Sequence, residues 1–92
     1  MDNIYHIEVE GLVPLEAIHL EHEKIPKLRK INTRTKYFRN LKYSIKEVGL
    51  MHPLSLVKLD GKLYIVDGQT RYMVAIKLGY KEIRARWYES IK

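Results

Sequence analysis

An α+β fold, with two main helices packed against a small mixed β-sheet, is what this sequence predicts. Three observations predict it. Apolar residues alternate in several short runs, one stretch carries a helical repeat, and turn residues sit at the junctions. At 92 residues, 46% of them hydrophobic, the chain has room for one core, so residues 1–92 are expected to form a single domain.

The elements follow in order. Tyr5, Ile7 and Val9 alternate with His6, Glu8 and Glu10, the pattern of a half-buried strand. Leu12–Leu20 is a further apolar stretch containing Pro14, and the polar, basic run 21–34 reads as an exposed loop. Thr33 or Thr35 can accept a hydrogen bond from the first amides of a helix. Phe38, Leu41, Ile45 and Val48 then recur at spacings of three and four, on one face, and Gly49 ends that helix. Residues 54–59 and 62–66 read as strands joined by Asp60-Gly61, a strong two-residue hairpin signal. A second helix, from about Gln69 to Leu78, is apolar almost all round and is expected to be buried; Gly79 ends it. A last strand spans Ile83–Tyr88, with Trp87 covering one end of the sheet.

Composition bounds the chemistry. The absence of cysteine excludes disulfides, thiolate metal sites and cysteine nucleophiles. No apolar run approaches a membrane span, and Met1-Asp2-Asn3 opens no signal peptide, so no membrane partner is expected and the protein is expected in the cytoplasm (the host's, in the case of a virus). A net charge of +6 favours an anionic partner, with nucleic acid or nucleotide the simplest candidates. Nine of the cations fall between residues 24 and 46. Of these, Lys30, Arg34, Lys36, Arg39, Lys42 and Lys46 form the candidate nucleic-acid surface, since phosphate backbones need many cations and little sequence readout. Tyr37 and Tyr43 lie among them and could stack on bases, although tyrosines at helical positions also pack on cores.

The stretch richest in chemistry is Val66-Asp67-Gly68-Gln69-Thr70-Arg71. A strand stops, Gly68 allows a tight turn and close approach of a ligand, and a helix begins. Such a junction aims unpaired N–H groups at one point, where the helix dipole favours an anion. Thr70 can donate a hydroxyl hydrogen to a phosphate oxygen, and Arg71 can grip one with its planar fork. The plain alternative is a structural turn, with Asp67 capping the helix and Arg71 solvated. His19 and His22, flanked by Glu21 and Glu23, read as a solvated surface and not as a metal site. No metal ligand set is expected, and no catalytic residue is assigned.

Residues 44–54, Ser-Ile-Lys-Glu-Val-Gly-Leu-Met-His-Pro-Leu, resemble the SIxexGLxxPl segment of ParB-like domains, and residues 66–75 resemble that family's vdGxxRxxAa box. Leu78–Ile83 is similar to its lGyxxip ending, and Val13–Ile18 to its opening vpldxI. Together these place the chain with the ParB/sulfiredoxin-like domains over roughly Val13–Trp87. The resemblance implies that Asp67, Gly68, Gln69, Thr70 and Arg71 hold the phosphates of a nucleotide, with Arg29 a loose echo of an upstream proline–arginine pair; it sets His52 close to that turn, where the histidine either contacts a phosphate or fills a position that tolerates many polar residues.

The resemblance also implies a cofactor, a nucleoside triphosphate (CTP or ATP) with Mg2+. It suggests a role in DNA binding, segregation or regulation, and the small size of the chain points to a virus, plasmid or archaeon. Members differ: ParB proteins bind and hydrolyse CTP on DNA, some relatives are described as nucleases, sulfiredoxins use ATP, and one branch phosphorylates serine. The missing cysteine excludes sulfiredoxin chemistry. Gln69 and Thr70 stand where many members carry Glu or His, which removes a general base from the turn. A nuclease, kinase or hydrolase using the same turn, an interaction module without a ligand, and a homodimer through a sheet edge or the first helix remain alternatives.

Overall fold

In a computed structural model, the structure describes residues 5–25, 27, 30–50 and 52–91. Strand β1 (Tyr5–Pro14) leads through a single 3-10 turn (Leu15–Ala17) into a two-residue strand, β2 (Ile18–His19). Helix α1 (Lys36–Val48), strands β3 (Leu54–Leu59) and β4 (Lys62–Asp67), helix α2 (Gln69–Lys77) and strand β5 (Glu82–Ile91) follow. The five strands form one mixed sheet in the order β1-β5-β3-β4-β2. β1/β5 and β3/β4 are antiparallel, whereas β3/β5 and β2/β4 are parallel. The α+β expectation therefore holds, with two additions: β1 and β5 pair along ten positions, and β2 forms the opposite edge.

Side-chain alternation puts Val13, Ile83, Ala85, Leu54, Leu56 and Ile65 on one face of the sheet, where they meet Tyr72 and Ala75 of α2. Val74, on the other side of α2, packs with Phe38 and Ile45 of α1. The helices are thus stacked on one face, with α2 in the middle. Burial of the Tyr72 ring raises its phenol pKa above the ordinary value.

Local signals explain the helix ends. Thr35, rather than Thr33, is the N-cap of α1: its hydroxyl accepts from the Phe38 N–H at 3.1 Å. Gly49 (φ 83°) ends the helix, its N–H donating to the Ile45 carbonyl. Two expectations about burial need correction. Val48 is 66% exposed, because the cluster beneath α1 closes with Ile45 and Leu50. α2 is not buried all round: Ile76 is 45% exposed, since a helix touching a sheet on one side and a single helix on another keeps an open flank.

The run read as a solvated loop holds an ordered aromatic contact. The His22 side chain is 13% exposed and meets the Tyr64 ring edge-on at 4.9 Å. Its Nδ1 accepts from the Lys24 N–H at 3.0 Å, and its Nε2 lies 3.6 Å from the Asp60 carboxylate. The parallel β2/β4 ladder sets His19 beside Tyr64. Trp87 packs at the margin of the core and donates its indole N–H to Glu89 at 2.8 Å. Lys58 also bonds Glu89, and this bond, with that of Trp87 second, holds the carboxyl below its ordinary pKa.

Candidate phosphate site at the start of α2

The sheet topology builds the site. Because β3 and β4 are antiparallel, with Ser55 opposite Asp67, the turn entering β3 (His52, Pro53) lies beside the turn leaving β4 (Asp67, Gly68). Gly68 takes the left-handed conformation (φ 96°, ψ 21°) and starts α2. A Cβ built there would stand 2.6 Å from Leu54 Cδ2 and 3.4 Å from Leu54 Cα, so the turn rests directly on the fully buried Leu54. Only glycine meets both demands.

The first hydrogen bond of α2 runs from the Tyr72 N–H to the Gly68 carbonyl at 2.9 Å. The amides of Thr70 and Arg71, ahead of it, therefore have no acceptor within the helix. No acidic residue occupies the first turn, and no side chain caps it; the alternative in which Asp67 caps α2 is not what the chain adopts. These residues open onto a cavity of about 590 Å3 lined by Lys27, Ile31, Tyr37, Leu41, His52 and the whole run 66–71. That volume lies within the roughly 300–1,000 Å3 of ordinary small-molecule sites.

Arg71 does more than its expected role requires. Its Nη1 donates to the carbonyls of His52 (2.9 Å) and Pro53 (3.4 Å), tying the start of α2 to the turn before β3. Its Nη2 lies on the Gly68 side. One arm of the fork is thus committed to backbone, and Arg71 both positions the site and lines it.

The structure brings His52, Asp67, Gly68, Gln69, Thr70 and Arg71 to one cavity, whereas Arg29 lies outside the described residues. Lys30 borders an adjoining groove that shares Tyr37 and Thr70. Lys36, Arg39, Lys42 and Lys46 are exposed on α1, and Arg34 just before it. At about 100° per residue, Arg39, Lys42 and Lys46 make one stripe, while Tyr37 and Leu41 face the opposite flank, toward the cavity. The sequence reading missed Lys27, Ile31 and Leu41 as cavity wall. Leu41, on the apolar stripe of α1, serves both core and cavity.

Fold and site together define a ParB/sulfiredoxin-type domain. The ParB N-terminal domain family model matches residues 3–90, and the chain belongs to that family. Among solved structures, sulfiredoxin from Arabidopsis thaliana is similar, with a TM-score of 0.66 and 28% identity over 86% of this chain and 83% of that one. The C-terminally truncated chromosome-partitioning protein ParB from Caulobacter crescentus, complexed with CTP-gamma-S, matches with a TM-score of 0.67 and 23% identity over 86% of this chain and 43% of that one. The same protein complexed to the centromeric parS site gives 0.62 and 24%, over 79% and 37% respectively. This chain therefore spans less than half of the ParB chains it matches. Comparison with curated proteins returns no match. No helix among the described residues is long and apolar enough to cross a membrane.

Proposed function

We propose that this domain binds a nucleoside triphosphate, with its phosphates at the N-terminus of α2, and contacts DNA through the basic flank of α1. The observation that carries the reading is that Gly68, Thr70 and Arg71, at the start of α2, line one cavity, with no acid in the first turn of the helix. Helix dipole, amide donors and a fixed cation all favour an anion there. The CTP-gamma-S complex of Caulobacter ParB supports a nucleotide as that anion, and the parS complex supports DNA as the macromolecular partner. Ile31, Tyr37 and Leu41 supply an apolar wall on which a base can lie.

Mg2+ commonly reaches such sites through one or two carboxylates plus the phosphates themselves. Asp67 is the carboxylate that lines the cavity, and it would hold the ion, which would neutralise phosphate charge.

Calorimetric titration with CTP and ATP in the presence of Mg2+ tests the proposal. Wild-type protein should bind at least one of them. Arg71→Lys, which keeps the charge and loses the fork, should weaken binding by roughly tenfold or more, the worth of a charge-assisted hydrogen bond. Thr70→Val, which leaves the Arg71 tie intact, should cost several-fold. Folded wild-type protein that takes up neither nucleotide would refute the reading.

A further inference from the structure

Charge is segregated along this chain. The first 23 residues hold six of the 11 acids (Asp2, Glu8, Glu10, Glu16, Glu21 and Glu23) and no lysine or arginine, so all 17 cations follow. Glu8 and Glu10 lie on β1, which pairs with β5 on one side and is the edge of the sheet on the other. A basic domain therefore has an acidic edge strand.

Among the described residues no strand pairs with that outer edge, and its protection is slight. Edge strands are commonly blunted by being short, by charged side chains (lysine above all), by proline or by a bulge; on β1 the only such charges are the two glutamates, Glu8 and Glu10. β1 runs for ten residues in unbroken register, carries no lysine, and reaches proline only at its last position. Ile7 (47% exposed) and Leu12 (57%) stand open along it. Its two faces differ: Glu8, Glu10 and Leu12 project on one, and Ile7, Val9 and Gly11 on the other.

The inner side of β1 already shows what it pairs with. In β5, Arg86 stands opposite Glu10 and Trp87 opposite Val9, and Arg86 Nη1 lies 3.8 Å from the Glu8 carboxylate. A strand that alternates basic and apolar residues is the complement of β1. A second copy of β1 is not. The two self-pairings with fullest overlap, centred on Val9 or on Glu10, set glutamates directly opposite one another, which is destabilising.

We infer that the outer edge of β1 is a docking site for an extended basic segment of a partner protein, which adds to the sheet as a sixth strand. Main-chain hydrogen bonds supply the attachment, as in other β-strand additions, and the side chains set specificity. Basic residues of the partner meet Glu8 and Glu10 on one face, and apolar residues meet Ile7 and Val9 on the other. This surface is separate from the α2 cavity and does not depend on the nucleotide reading.

The test uses a fluorescent peptide matched to the ten residues of β1, alternating arginine and valine, with anisotropy as the readout and amide hydrogen exchange of β1 as the structural check. Wild-type protein should bind it and gain protection along residues 6–13. Glu8→Gln/Glu10→Gln should weaken binding by about tenfold, as expected for two exposed ion pairs. A version of the peptide N-methylated at every amide keeps its charge and cannot join a sheet, so it should not bind. The inference is overturned if the methylated peptide binds as well as the parent, if the glutamine variant binds undiminished, or if a glutamate–valine peptide binds equally. It is also overturned if wild-type protein sediments as a dimer in which the β1 amides are already protected from exchange, because the edge would then be taken by a second copy.

Discussion

Gly68→Ala should be among the most damaging single-methyl additions to this protein, and the structure gives its magnitude in two parts. The residue sits at φ 96°, ψ 21°, a left-handed conformation that costs an L-residue about 1–2 kcal/mol. The new Cβ would also stand 2.6 Å from Leu54 Cδ2. Leu54 is fully buried and has nowhere to swing, so relief requires overpacking, at about 1–3 kcal/mol. The expected loss is therefore about 2–5 kcal/mol, a large share of the roughly 5–15 kcal/mol that holds a domain folded.

Gly79 provides the control, since it has φ 79° and nothing within 4 Å of a built Cβ. Gly79→Ala should cost only the conformational part. Urea unfolding followed by circular dichroism measures both. With a slope of roughly 2 kcal/mol per molar, a loss of about 3 kcal/mol moves the midpoint by about 1.5 M. Adding Leu54→Ala to Gly68→Ala removes the obstructing methyl, so the double variant should lose less than the sum of the singles. If Gly68→Ala and Gly79→Ala agree within about 0.5 kcal/mol, the close approach of the turn to Leu54 is refuted.

Three further outcomes follow from particular contacts. Thr35→Ala should destabilise by about 1 kcal/mol in the same assay, because its hydroxyl caps α1, whereas Thr33→Ala should be nearly neutral. The fluorescence of Trp87, the only tryptophan, should report protonation of Glu89 at a pH below the ordinary glutamate value, and Lys58→Met should move that midpoint upward. The sign follows from the lowered folded-state pKa: the stabilisation is present above the ordinary value and is lost as pH falls through the depressed one. Replacing Arg39, Lys42 and Lys46 by alanine should lower DNA affinity and flatten its salt dependence by roughly 2.7 in the log–log slope, if each cation meets one phosphate.

The legible parts of this fold were those encoded locally. Asp60-Gly61 announced the β3–β4 hairpin, and the Phe38–Ile45 spacing and Gly49 bounded α1. The junction 66–71 showed itself as a strand, a turn and a helix start. What escaped was produced by distant pairing. β1 and β5 extend because they pair with each other across the chain, and β2 is two residues held by β4, too short for any periodic signal. His22 reads as surface until β4 brings Tyr64 beneath it. In the same way, the second role of Arg71 needs the carbonyls of His52 and Pro53, which lie near it only because β3 and β4 run antiparallel. Charge segregation was visible in the sequence, but only the position of β1 at the sheet edge gives it meaning.

Nucleotide binding at the start of α2 is tested residue by residue by the amide chemical shifts of 15N-labelled protein during titration with CTP and ATP in the presence of Mg2+. The largest changes should fall on the amides of Gly68, Thr70 and Arg71, with smaller ones at Tyr37 and Leu41. Changes confined to the α1 stripe or to β1, with the start of α2 unmoved at saturating nucleotide, would contradict it.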